Sequence, residues 1–239
     1  MSAISAATAL ELSKRGWSVL INYSKSEAQA NKVAAQCKDA TAVQADVAED
    51  AECRKLAQAA LDQWGRIDAL VNNAGTTKYV KHADLDGLQA EDFLRIYRLN
   101  VVGPFQMVRA CASALKANRG AVVNVSSVAS QLGTGSSLAY AASKSALNAM
   151  TYSLARSLGP EVRVNAVCPG YVDTPWQHNA LGLEKAKQAA ERYSAMVPLK
   201  DYARPQDVAE VIAWLIEGAR QVTGDVVFVD GGLHIQPPR

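Results

Sequence analysis

The chain has 239 residues, 49% apolar and 20% charged, with a net charge of +2. That balance excludes a disordered chain, and the interspersed charges lack the basic, aromatic-studded surface that nucleic acid needs. The four cysteines, Cys37, Cys53, Cys111 and Cys168, have no metal-ligand spacing, and no run approaches the roughly 18 apolar residues of a membrane span. With no basic, apolar leader, the sequence predicts a cytoplasmic protein without a metal and without a place in the membrane.

In chain order, the apolar spacing predicts a helix over 3–14, a strand at 19–21, a helix over 26–36 and a strand at 42–44. A helix over 49–63 leads to a strand at 69–71, and a long helix over 90–117 to a strand at 121–125. A helix over 137–158, a strand at 162–167, a helix over 205–217 and a strand at 226–229 complete the pattern. Gly16, Gly65, Gly159-Pro160 and Gly218 stand where helices should stop, and Pro205 where the last should start. Alternation of short, continuous apolar runs with helices implies an α/β fold, a doubly wound parallel sheet of Rossmann type. No linker divides the chain, so residues 1–239 read as a single domain.

In such a sheet, ligands bind beyond the carboxyl ends of the strands. Asp46, the Asn72-Asn73-Ala74-Gly75 run, Ser127 and Pro169-Gly170 all follow strands there. Tyr140 and Lys144 are four residues apart, one turn along one face of the predicted 137–158 helix, and Ser127 lies thirteen residues before the tyrosine. A free phenol has a pKa of roughly 10. A neighbouring ammonium should lower it, suiting Tyr140 to proton transfer with a carbonyl oxygen that Ser127 also holds.

These residues resemble the short-chain dehydrogenase/reductase family, over about residues 6–235, and within it the 3-oxoacyl-carrier-protein reductases and related carbonyl reductases. The resemblance implies a catalytic set of Asn100, Ser127, Tyr140 and Lys144, with Tyr140 as general acid/base, Lys144 holding the nicotinamide ribose and Asn100 a relay water. It places Asn73, Ala74 and Gly75 beside the cofactor ribose, and Asp46 and Val47 at the adenine. It further places Pro169, Gly170, Val172 and Thr174 over the nicotinamide. Read as bare sequence, Asp46 with Glu49 also fits a helix capping box, and Asn100 an interruption of a long helix. The resemblance further implies a homotetramer or homodimer, built on the long helices near 90–117 and 137–158 and the chain end near 228–235.

The family opens with a strand and a glycine-rich turn that holds the pyrophosphate. Here Ala3-Ile4-Ser5 stand where Gly-Ile-Gly is usual, and the first strand and the turn are missing. Neighbouring strands without that partner would leave backbone groups unpaired at a cost above a domain's usual margin of roughly 5–15 kcal/mol. We therefore expect an in-frame strand encoded upstream of Met1. The alternative is a divergence in which Ala3 and Ser5 narrow the turn and weaken cofactor binding.

By that resemblance, the position that selects the cofactor is Asn22, followed by Tyr23, Ser24 and Lys25, with no acid before Glu27. Donors and one positive charge favour NADP(H), with NAD(H) possible. Residues 131–137 and the segment near 171–198, which carries Tyr171, Trp176, Gln177 and His178, are expected to form the two sides of a mobile substrate entrance. The reading is therefore an oxidoreductase moving hydride between NADP(H) and a ketone or secondary alcohol. A non-catalytic scaffold or binding protein of the same fold, with lost or weakened cofactor binding, is the alternative.

Overall fold

The computed structural model describes residues 1–174 and 182–235. Its strands are β1 (Val19–Tyr23), β2 (Ala40–Gln44), β3 (Ala69–Asn72), β4 (Ala121–Val125), β5 (Arg163–Pro169) and β6 (Val226–Val229). Its helices are α1 (Ala3–Lys14), α2 (Glu27–Ala34), α3 (Asp50–Trp64), α4 (Ala90–Tyr97), α5 (Gly103–Ala117), α6 (Ala129–Leu132), α7 (Leu138–Leu158), α8 (Leu183–Met196) and α9 (Pro205–Glu217).

All strand pairings are parallel. Val19 stands opposite Ala40, Val71 opposite Val123, Val123 opposite Asn165 and Ala166 opposite Val226. Both faces are covered, as continuous apolar strands require. Leu70 and Val122 join Leu56, Met107 and Cys111 from α3 and α5 on one face. Val71 and Val123 join Leu12 of α1 and Val208 and Ile212 of α9 on the other.

Helix limits follow local chemistry. Gly65 closes α3 in the left-handed conformation, φ 70°, that glycine adopts without steric cost. Ser137 caps α7 by accepting from the Tyr140 amide at 3.3 Å. One expectation needs correction. The 90–117 helix is three pieces, because a π-helical turn at Arg98–Val102 separates α4 from α5. The segment near 171–198 includes the regular helix α8, whose Ala186, Ala190 and Tyr193 are buried. Trp176, Gln177 and His178 lie outside the described residues.

The sheet is in two parts, β1–β2 and β3–β4–β5–β6. A cavity of about 1660 Å³ runs between them, lined by β1 on one side and β3 on the other. The halves are held around it by side chains. Trp64, ending α3, donates to Asp39 at 2.9 Å, and Arg109 of α5 pairs with Asp50 at 2.6 Å. On the other face, Trp17 donates to Glu217 of α9 at 2.7 Å.

Candidate active site

Lys144 enters the sheet at the end of β4. Its ammonium donates to the Val125 carbonyl at 2.8 Å, its own carbonyl accepts from the Ser126 hydroxyl at 3.1 Å, and the residue is 4% exposed. One turn earlier on α7, Tyr140 carries a hydroxyl bonded to Ser127. Ser127 is held in turn by the Ala129 amide, which donates to its Oγ at 3.2 Å. The loop after β4 and the start of α7 thus bring Ser127, Tyr140 and Lys144 to the wall of the large cavity.

Burial sets the electrostatics. The Tyr140 phenol is pushed up to about 12 by burial, against a smaller lowering by the Ser127 hydrogen bond. Burial also lowers the Lys144 ammonium to about 8. The expected lowering of the phenol by its neighbour is therefore corrected. Lys144 Nζ lies over the Tyr140 ring, 5.7 Å from its centroid, and desolvation outweighs any help it gives the phenolate. At neutral pH Tyr140 is a proton-loaded acid.

Asn100 sits on the π-helical turn, fully buried behind the cavity wall. Its Oδ1 accepts from the Thr76 amide at 2.8 Å, and its Nδ2 donates to the Thr76 carbonyl and to Ser143 Oγ, both at 3.0 Å. These bonds cross from α5's approach to β3's exit and to α7, so Asn100 is not a helix residue bonding its own backbone. A Cβ at Gly75 would lie 3.4 Å from Asn100 Oδ1 and 3.8 Å from Lys144 Nζ. Glycine there keeps the floor of the cleft open beside the lysine.

Asn73 donates to Ser2 Oγ at 2.7 Å and Ser5 Oγ at 2.6 Å, so the hydroxyls at the start of α1 are tied to the end of β3, next to the exposed Ala74. Asp46 is exposed, and its Oδ1 accepts from the Ala48 amide at 3.0 Å. The capping box proposed for Asp46 and Glu49 does not form, because Glu49 is itself the N-cap and pairs with Arg98. Val47 is buried, its carbonyl accepting from Gln106 Nε2 at 3.1 Å.

At the corner expected to select the cofactor, the four named residues divide. Asn22 Nδ2 donates to the Ala45 carbonyl at 2.9 Å, so it joins β1 to β2. The Tyr23 ring packs with Ala9, Ile21, Ala30 and Val33, and its hydroxyl bonds to Glu27, which removes it as a free donor. Ser24 and Lys25 are exposed on the cavity rim.

On the opposite wall, the Pro169 carbonyl accepts from the Val128 amide at 2.9 Å, and the Gly170 amide donates to the Val229 carbonyl at 3.0 Å. A Cβ at Gly170 would meet the Tyr193 hydroxyl, which donates to the Asp230 carbonyl at 2.6 Å. Val172 and Thr174 are buried along the same wall, and Val172 bridges to Ala203.

The structure adds residues that sequence reasoning missed. Asn72 Nδ2 donates to Asn124 Oδ1, and Asn124 Nδ2 to Thr151 Oγ1, each at 2.9 Å, inside the sheet under the site. An asparagine in the middle of the apolar Ala121–Val125 run was the available signal, since a buried amide needs partners. No group of His, Cys, Asp and Glu among the described residues is placed to hold a metal.

A family model described as "Enoyl-(Acyl carrier protein) reductase" matches residues 1–234. The chain is 41% identical to a granaticin polyketide synthase putative ketoacyl reductase of Streptomyces violaceoruber, over 98% of this chain and 93% of that one. It is 35% identical to a 3-oxoacyl-[acyl-carrier-protein] reductase of Synechocystis, over 96% and 92%. Among solved structures, a putative short-chain dehydrogenase/reductase from Burkholderia xenovorans matches with TM-score 0.90 at 39% identity, over 98% and 95%. The ligand-free aldohexose dehydrogenase of Thermoplasma acidophilum matches with TM-score 0.89 at 27% identity, over 100% and 92%.

Proposed function

Since this chain belongs to the short-chain dehydrogenase/reductase family of oxidoreductases, we propose that it interconverts a ketone and a secondary alcohol with NADP(H), using Tyr140 as the proton-transferring group. The observation that carries this reading is the Tyr140 hydroxyl bonded to Ser127 at the cavity wall, one helical turn from Lys144.

The residues present fit a nicotinamide nucleotide. Gly75 leaves room beside Lys144, and Asp46, Val47, Gly170, Val172 and Thr174 all line the cavity. The cofactor, when bound, supplies or accepts the hydride. Ser127 holds the substrate oxygen, and Tyr140 donates its proton to that oxygen in reduction or takes it back in oxidation. Lys144, anchored on the Val125 carbonyl, is positioned to hold the ribose and to return a proton to Tyr140. Asn100 fixes the backbone at Thr76 and, through Ser143, the first turn of α7, holding the relay's geometry.

Preference for NADP(H) over NAD(H) rests on Ser24 and Lys25, because Asn22 and Tyr23 are already bonded within the fold. An oxidoreductase acting on a small carbonyl compound or alcohol, assembled as a homotetramer or homodimer in the cytoplasm, completes the reading. Residues 1–239 form its single domain, with the substrate entering near 171–198. No helix among the described residues is long and apolar enough to cross a membrane.

The test is NADPH consumption over a panel of ketones. Tyr140→Phe should abolish it while circular dichroism stays unchanged, and turnover that survives the substitution overturns the assignment. A second reading, a scaffold with weakened cofactor binding, draws on the Ser2 and Ser5 hydroxyls that occupy the start of α1. Titrating NADPH against intrinsic tryptophan fluorescence separates the two, since the scaffold shows no saturable change.

A further inference from the structure

The loop that carries Ser127 is tied at both ends to α7, the helix that also carries Tyr140 and Lys144. The amides on either side of Ser127 pair with β5: Ser126 donates to the Val167 carbonyl at 2.8 Å and Val128 to the Pro169 carbonyl at 2.9 Å. The Ser127 carbonyl is left to α6, where it accepts from the Ser130 amide at 3.0 Å and from the Ser130 hydroxyl at 2.6 Å. α6 is a single turn of four residues, too short to be stable by itself. Its hold comes from α7. Ser145 Oγ donates to the Ser130 carbonyl and Asn148 Nδ2 to Ser130 Oγ, each at 2.8 Å. At the other end of the loop, the Ser126 hydroxyl donates to the Lys144 carbonyl at 3.1 Å.

Chemistry fixes the direction of this chain of bonds. A carbonyl only accepts, so the one proton of the Ser130 hydroxyl is committed to Ser127. Asn148 must therefore present its amide N–H to Ser130. The fully buried Cys168 closes the cluster from β5, its sulfur 3.6 Å from Ser130 Oγ and 3.8 Å from Asn148 Nδ2. Tyr140, Lys144 and Asn148 are spaced four residues apart, one row along one face of α7. One helix thus carries Tyr140, Lys144 and, through Ser130, the hold on Ser127.

Given the roles proposed above for Ser127 and Tyr140, on which this rests, we infer that Asn148 and Ser130 are positioning residues, a directed hydrogen-bond chain that keeps the Ser127 hydroxyl in register with the Tyr140 hydroxyl. Neither holds the substrate oxygen itself. Without the Ser130 hydroxyl bond, α6 and the Ser127 backbone can shift while Tyr140 stays on α7, and the two hydroxyls no longer meet at one oxygen. A misplacement of about 1 Å costs roughly 10²-fold in rate.

The test is a double-mutant cycle read in kcat, with the ketone of the panel that is turned over fastest. Asn148→Asp keeps the shape of the side chain, but its carboxylate only accepts and draws the Ser130 proton away from Ser127. It should lower kcat about ten-fold or more, with the KM for NADPH and the melting temperature little changed. Ser130→Ala, the smaller change, should do the same and decides the matter if Asn148→Asp proves unstable. In Ser127→Ala, which has already lost the hydroxyl, neither substitution should lower kcat further. An unchanged kcat with Ser127 present would overturn the inference. So would an equal loss in the Ser127→Ala background, which marks a general structural role. Tyr140→Phe, run alongside, separates this from the function itself. If it keeps turnover, the proposed function fails and the inference with it; if it is inactive while Asn148→Asp and Ser130→Ala turn over normally, only the positioning role fails.

Discussion

The Lys144 ammonium lies over the Tyr140 ring, 5.7 Å from its centroid, and donates to the Val125 carbonyl at 2.8 Å. The lysine is thereby bound to the sheet rather than to the phenol, while the Tyr140 hydroxyl is bonded to Ser127. In the proposed mechanism its contribution to proton transfer is positional and relayed, so the two residues should fail differently when removed.

Tyr140→Phe removes the acid while keeping the ring that Lys144 faces. It should lower kcat by about 10²–10⁴-fold with little change in the affinity for NADPH. Lys144→Met should lower kcat and also weaken NADPH binding. Steady-state kinetics beside a fluorescence titration distinguishes the pair, and identical effects on both quantities would contradict the division of roles.

The same two groups shape stability against pH. Lys144 has a folded value of about 8 against an ordinary 10.5, so between those values the unfolded chain binds more protons and stability rises with pH. Tyr140 has a folded value of about 12 against 10.0, so between pH 10 and 12 the folded chain binds more protons and stability falls. Urea midpoints measured from pH 7 to 11 should climb and then turn over. Lys144→Met should flatten the climb and leave the alkaline decline in place.

Lys25 is an exposed cation on the cavity rim, at the corner proposed to select the cofactor. Lys25→Ala should raise the KM for NADPH several-fold, by roughly the 1 kcal/mol an exposed charge pair contributes, and leave that for NADH unchanged. Asn22→Ala should instead reduce thermal stability, because its amide joins β1 to the Ala45 carbonyl. An unchanged NADPH-to-NADH ratio in Lys25→Ala would remove the basis for the cofactor preference.

Gly170→Ala would set a Cβ against the Tyr193 hydroxyl and 2.9 Å from the Asp230 Cβ. We expect a loss of about 1–3 kcal/mol, the usual cost of overpacking. Asn124→Ala would leave the Asn72 amide without its acceptor and cost about 1–3 kcal/mol. Calorimetric Tm should fall in both. Activity should fall further in Gly170→Ala, whose wall faces the cavity.

Much of this protein was legible before any coordinates. Alternation of apolar runs and helical spacing is a local signal, and it located β4, β6, α1 and α9 at their observed limits. The four-residue spacing of Tyr140 and Lys144 is local as well, since one helix carries both. Tertiary structure decided what depends on residues distant in sequence. The Asn72–Asn124–Thr151 chain links positions 52 and 27 residues apart, and a buried amide's partners cannot be inferred from its neighbours. That Asn22 and Tyr23 are bonded inward while Ser24 and Lys25 stay on the rim was equally invisible, because backbone order does not say which donors the fold consumes. The direction of the Tyr140 shift was decided the same way: sequence spacing counts the neighbouring charge, while desolvation is set by everything packed around it.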